Sequence, residues 1–176
     1  MIPHQKKLLF LGDSLIEFYD WRKRFSAHAV YNLGIAGETV GGLRARLARV
    51  FAQVPSPDKV FIMSGINNLA MGDSDFHAAY RDVVRDISAA YPGAEVYVHS
   101  LLPVLFPFIA NEDIMTANLQ LRETALRQGV FYIDLYARFL DEKGRPREAY
   151  LLDDGVHVSD EGYRVWSDEI EMLLRA

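Results

Sequence analysis

Cysteine is missing from this chain of 176 residues. That absence excludes a disulfide framework, a thiolate nucleophile, an iron–sulfur cluster and any zinc site built on sulfur. Long hydrophobic runs are missing too. No stretch approaches the ~20 apolar residues that a membrane-spanning helix needs. The longest, Leu101 to Ala110, holds Pro103 and Pro107, which a straight helix does not tolerate. The segment from Met1 to Leu11 has neither the apolar length nor the small-residue cleavage site of a signal peptide, so a cytoplasmic protein is expected. Positive charge is also scarce. There are 19 Lys and Arg against 24 Asp and Glu, a formal charge of −5, so the basic patch that nucleic acid or an anionic membrane would require is not expected. Whatever chemistry the chain performs falls to oxygen and nitrogen side chains.

What is present is an ordinary globular composition, half hydrophobic and 24% charged. Its length suits one domain spanning residues 1–176. Short apolar runs recur along it: Lys6 to Leu11, Ala29 to Leu33, Lys59 to Met63, Glu95 to His99 and Val130 to Asp134. Each reads as a strand buried on both faces. Between them lie helical patterns. Leu43, Leu47, Val50, Phe51 and Val54 recur at offsets of three and four, as do Phe76, Tyr80, Val83, Ile87 and Tyr91. Asn111 to Gln128 forms another, closed by Gly129, and Ser159 caps a last helix to Leu174. Strands alternating with helices predict an α/β fold, a parallel sheet in a three-layer α/β/α sandwich. In such sheets ligands gather outside the carboxyl ends of the strands.

Four clusters stand at or near such positions. Gly12-Asp13-Ser14 follows the first strand; a serine on that turn can be an exposed nucleophile or only an N-cap. The glycine-rich stretch from Gly34 to Gly42 follows the second, without Gly-Lys-Ser/Thr or Gly-x-Gly-x-x-Gly. It therefore suits a bare backbone N–H donor better than a nucleotide loop. Ser64-Gly65-Ile66-Asn67-Asn68 follows the third strand and offers side-chain amides. Asp153-Asp154-Gly155-Val156-His157 can set a carboxylate on one imidazole nitrogen and leave the other free. A metal site from Asp153, Asp154, His157, Asp160 and Glu161 is the rival reading there, and a solvated loop is the plain one. Together the four supply a nucleophile, a base with its orienter and two kinds of oxyanion donor, which is what acyl transfer requires.

On the blocks Gly12-Asp13-Ser14-Leu15, the glycine block at Gly37, Gly65-Ile66-Asn67-Asn68 and Asp154-Gly155-Val156-His157, the chain resembles the GDSL-type, or SGNH, hydrolases, a family of esterases and lipases. The resemblance spans nearly the whole length. It implies a flavodoxin-like sheet of five parallel strands in the order 2-1-3-4-5. It also implies Ser14 as nucleophile, His157 as general base and Asp154 as its orienter. The oxyanion hole would be the backbone N–H groups of Ser14 and Gly37 and the amide of Asn67. One departure is Asn68, where the family usually has Asp; members resembling platelet-activating-factor acetylhydrolase subunits also carry Asn there.

The expected function is a serine esterase of small or short acyl groups, working without cofactor or metal on a small-molecule ester. Activity should fall in acid as His157 takes up a proton. Alternatives are a lysophospholipase or thioesterase acting on longer chains, or a non-catalytic ligand-binding relative. Leu15 and Val156 flank the catalytic positions and are candidates for touching the acyl group. The apolar segment 103–110 is either a wall of the acyl pocket or a dimer contact, which leaves a homo-oligomer open. Phe18, Tyr19 and Trp21 offer a second wall or an anchor for the first helix. His99 beside Ser100 is a weaker Ser/His pair, because neighbours on a strand point to opposite faces. His4, His28 and His77 read as surface or packing residues.

Overall fold

The five apolar runs pair into one parallel sheet in the order β2-β1-β3-β4-β5. In the computed structural model, which describes residues 5–175, the strands are β1 (Lys7–Gly12), β2 (Ala29–Gly34), β3 (Lys59–Met63), β4 (Glu95–His99) and β5 (Phe131–Ile133). A parallel strand cannot be reached by a tight turn, so every connection must cross over a face of the sheet. Short helices α1 (Ser14–Glu17) and α2 (Trp21–Arg24) link β1 to β2. Helices α3 (Val40–Ala45) and α4 (Leu47–Gln53) link β2 to β3, and α5 (Ile66–Ala70) and α6 (His77–Ala90) link β3 to β4. The long α7 (Asn111–Gln128) leads to β5, followed by α8 (Leu135–Arg138), a 3₁₀ turn at Glu148–Tyr150 and α9 (Asp160–Arg175).

The register stacks aromatic rings across one face of the sheet. Phe10, Phe61, Tyr97 and Phe131 are successive cross-strand partners, and their ring centroids lie 4.9, 5.1 and 4.9 Å apart. Trp21 of α2 stacks on Phe10 at 4.4 Å, and Trp166 of α9 packs edge-on against Trp21 at 5.2 Å. Both tryptophans are fully buried. Helices α2 and α9 thus close over one ladder, although they lie far apart in the chain. Tyr163 of α9 also donates its hydroxyl to the Leu15 carbonyl at 2.8 Å, and the Trp21 indole donates to the Ile16 carbonyl at 2.8 Å. These bonds fix the turn that follows β1.

One helical pattern divides. The stretch through Leu43 to Val54 reads as one helix but breaks at Arg46, which caps α3 and opens α4. There the Arg46 guanidinium turns inward to donate to both oxygens of Glu38, at 2.6 and 2.7 Å, and to the Leu33 carbonyl at 2.7 Å.

Candidate active site

The nucleophile candidate is set by the exit from β1. Gly12 lies so close to β3 that a Cβ on it would sit 1.9 Å from the Met63 carbonyl oxygen, so only glycine lets the strand end there. Asp13 then caps α1, its Oδ1 accepting from Leu15 N at 3.0 Å. Its carbonyl accepts from Ile16 and Glu17 N. Ser14, 7% exposed, heads the helix. Asp13 is completely buried and its Oδ2 has no partner. Burial pushes its carboxyl up to about 7, and the nearby Glu38 adds to this, while the Leu15 N–H and His157 oppose it.

The base candidate comes from a hairpin-like loop closed by an antiparallel bridge between Leu151 and Val158. Inside it Leu152 N donates to the His157 carbonyl at 2.7 Å and Gly155 N to the Leu152 carbonyl at 2.8 Å. Gly155 has φ +72°, and a Cβ there would lie 2.9 Å from the Leu105 carbonyl carbon. Asp154 Oδ1 accepts from Val156 N and His157 N, both at 2.8 Å, and its Oδ2 meets His157 Nδ1 at 2.6 Å. The other ring nitrogen, Nε2, lies 3.0 Å from Ser14 Oγ. Partial burial of Asp154 pulls its carboxyl upward, but the His157 ring and the two backbone N–H groups outweigh it and hold the carboxyl below the ordinary range. A carboxylate facing Nδ1 can accept a hydrogen bond from it, an arrangement that leaves Nε2 free to accept from a hydroxyl.

The loops after β2 and β3 meet the nucleophile turn. Ile35 N donates to the Gly12 carbonyl at 2.9 Å and Ala36 N to Glu17 Oε2 at 2.5 Å, so the residues before Gly37 are tied to the serine's own turn. Asn67, in α5, donates one amide hydrogen to the Glu38 carbonyl at 3.0 Å, which joins it to the residue after Gly37. Asn68, at the family's usual Asp position, accepts from Val40 N at 3.0 Å and donates to Asp73 Oδ2 at 2.7 Å. An amide serves both neighbours there, since it can donate and accept.

The remaining expectations divide. Leu15 is 2% exposed within the core, and Val156 is partly buried against it. In the segment after β4, Leu101, Leu102, Val104 and Ile109 turn inward while Leu105 and Phe108 face solvent. Trp21 is an anchor, but Phe18 lies at the site, with its ring 5.3 Å from the His157 ring. His99 and Ser100 are both fully buried. The Ser100 hydroxyl accepts from Tyr136 N at 2.8 Å, and neither nitrogen of His99 has a partner. His28 accepts from Lys6 N at 3.2 Å, His77 packs on Phe76, and His4 lies outside the described residues. Among the described residues, Asp153, Asp154, His157, Asp160 and Glu161 included, no three His, Asp or Glu side chains group closely enough to hold a metal ion. Sequence reasoning missed the Glu38–Arg46 pair and the cap by Asp13. The polar pair at offset eight beside a glycine block was the available signal for the first.

The profile of the GDSL-like Lipase/Acylhydrolase family matches residues 10–165. Platelet-activating factor acetylhydrolase IB subunit alpha2 from Homo sapiens is 28% identical over 100 residues, which is 54% of this chain and 44% of that protein's length. The chain therefore spans less than half of that relative. A solved structure from Streptococcus pneumonia, described provisionally as a platelet activating factor, superposes with a TM-score of 0.86 at 25% identity, covering 97% of this chain and 84% of its own. A GDSL-like lipase from Bacteroides thetaiotaomicron gives 0.81 at 21% identity, covering 97% and 88%. The acetylxylan esterase Axe2 from Geobacillus stearothermophilus gives 0.76 at 22% identity, covering 99% and 96%. Among the described residues no helix is long and apolar enough to cross a membrane.

Proposed function

The chain belongs to the GDSL-like lipase/acylhydrolase family, and we propose that it is a serine ester hydrolase that removes small or short acyl groups through an acyl-enzyme on Ser14. The observation that carries this reading is the linear chain of contacts from Asp154 Oδ2 through His157 to Ser14 Oγ, at 2.6 and 3.0 Å. In the first step Ser14 Oγ bonds to the ester carbonyl carbon while its proton passes to His157 Nε2. Asp154 holds the imidazolium that results. The oxyanion is received by the N–H groups of Ser14 and Gly37 and by the second amide hydrogen of Asn67, whose first is engaged by Glu38. Collapse breaks the carbon–oxygen bond to the alcohol, which leaves with the proton from His157. A water then repeats the sequence on the acyl-enzyme and releases the acid.

The preference for a short acyl group rests on where the apolar side chains point. Leu15, Leu101, Leu102, Val104 and Ile109 are buried in the interior, so they fill the core rather than line a long channel. The exposed Leu105 and Phe108 favour the second reading, hydrolysis of longer acyl chains laid along the surface. A fluorophosphonate should label Ser14 in the folded protein and fail to label Ser14→Ala. An unlabelled wild type would overturn the reading. Across p-nitrophenyl esters, kcat/KM should be highest for acetate or propionate and fall towards octanoate; a rise along the series would select the longer-chain reading.

A further inference from the structure

Phe18 is a large apolar side chain left 59% exposed immediately beside the proposed base. Its backbone is held to the turn of Ser14, whose carbonyl accepts from the Phe18 N–H at 3.0 Å. Its ring lies 5.3 Å from the imidazole of His157, tilted by 33°. An ester's leaving oxygen must come within hydrogen-bond reach of His157 Nε2 to be protonated as it departs. The group attached to that oxygen therefore lies next to whatever borders the imidazole, and one such neighbour is the exposed ring of Phe18.

Phe18 also lines a cleft of about 450 Å³ between the turn after β1 and the end of β2. The cleft's other walls include Glu17, Asp20, Arg22 and Asn32. Asn32 is used up by the fold, donating to the Ile16, Glu17 and Tyr19 carbonyls and accepting from Gly34 N. Glu17 and Asp20 are each engaged through one oxygen only, Oε2 on Ala36 N and Oδ1 on Lys23 N. Each keeps an acceptor oxygen for a ligand hydroxyl. Arg22 uses its Nε on the Val30 carbonyl, which leaves the end of its guanidinium as a donor.

Resting on the esterase reading, we propose that Phe18 and this cleft form the leaving-group subsite, and that the group it takes is a saturated ring bearing hydroxyls, of the pyranoside type. The C–H face of such a ring carries slight positive charge and packs on the negative face of an aromatic ring. Its hydroxyls can donate to Glu17 and Asp20 and accept from Arg22. A fatty alcohol would pack on the ring of Phe18 but would leave the carboxylates without donors, and a glycerol-like group would supply donors but has no flat C–H face to lay on the ring.

The test uses three acetates that share the acyl group and hence the second step: a mono-O-acetylated methyl pyranoside, cyclohexyl acetate and ethyl acetate. In Phe18→Ala the ratio of kcat/KM for the pyranoside over ethyl acetate should fall about tenfold. An equal fall on all three, with a displaced acid limb, would mean that Phe18 only supports His157, and an unmoved ratio would mean no contact at all; either overturns the subsite. In Glu17→Gln, which can keep the Ala36 bond, the ratio of pyranoside over cyclohexyl acetate should fall about threefold. If that ratio holds, the hydroxyl-bearing class is wrong. Failure of the underlying esterase reading looks different: Ser14→Ala would then still hydrolyse the acetates.

Discussion

The two halves of the proposed machinery are built in opposite ways. The nucleophile half is a strand exit: Gly12, Asp13 and Ser14 are buried, backed by Met63 and tied to α9 through Tyr163. The base half is a surface loop. The side chains of Asp154 and His157 are 49% and 31% exposed, and the loop keeps its shape by local bonds and the bridge from Leu151 to Val158. The first is held by packing, the second by hydrogen bonds. A lesion in the first should therefore appear as lost stability as well as lost activity, and a lesion in the second mainly as lost activity.

The sharpest break on the base side is Asp154→Asn. Oδ1 can still hold Val156 and His157 N, so the loop survives, but an amide nitrogen facing Nδ1 reverses the imidazole tautomer. Turnover should drop by about 10⁴-fold with the melting temperature within a few degrees of wild type. Near-normal turnover would remove Asp154 from its role.

Beneath the nucleophile half lies a weakness of the opposite kind. His99 is fully buried, flat against Phe61 at 5.8 Å and edge-on to Trp166 at 5.5 Å, with both nitrogens unpartnered. Burial pushes its imidazole down to about 3. A base whose folded value is depressed keeps its full stability above the unfolded value of about 6.5 and loses it as the pH falls towards the folded value. The loss should reach on the order of 5 kcal/mol in strong acid. Asp13 runs the other way: its raised carboxyl favours the folded state in acid, and that contribution is lost as the pH rises from about 3.8 to 7. His99→Leu should flatten the decline in melting temperature between pH 7 and pH 4. An unchanged decline would place the acid sensitivity elsewhere.

Asn67→Ala tests the junction between the loops. It removes the proposed oxyanion donor and also frees the Glu38 carbonyl, so kcat should fall about 100- to 1,000-fold with KM little changed. A change confined to KM would show that the amide binds substrate without meeting the oxyanion.

The division also explains what the sequence discloses. Strands buried on both faces announce themselves as apolar runs, and all five lie within one residue of the expected ends at both termini, β5 being one residue shorter at each end. Periodicity alone does not disclose strand order, which came from the family resemblance and agrees with the observed sheet. The division at Arg46 was invisible to hydrophobic periodicity because its cause is polar, the approach of Glu38 and the Leu33 carbonyl. Ser14, Asp154 and His157 were legible as motif residues, and the structure brings their side chains together. Phe18 was legible only as an aromatic near the nucleophile. Its place beside His157 depends on two segments 139 residues apart, and no local pattern encodes that.

The finest test of the comparison is one substitution made in both halves. Gly12→Ala forces a methyl to within 1.9 Å of a backbone oxygen on β3. Neither strand can move without unpairing the sheet, so soluble yield and melting temperature should both fall. Gly155→Ala meets two milder penalties, φ of +72° and a backbone contact of 2.9 Å with Leu105. A non-glycine residue in that conformation costs about 1–2 kcal/mol, and although Gly155 itself is buried against Leu105, the exposed Leu152, Asp153 and Asp154 before it let the loop shift and relieve part of the strain. The shift draws His157 Nε2 away from Ser14 Oγ. Gly155→Ala should therefore lower kcat about tenfold with a fall in melting temperature of only a few degrees, smaller than that of Gly12→Ala. Should the two variants lose stability alike, the base loop would be held by the core as tightly as the strand exit is, and the contrast between the halves would fail.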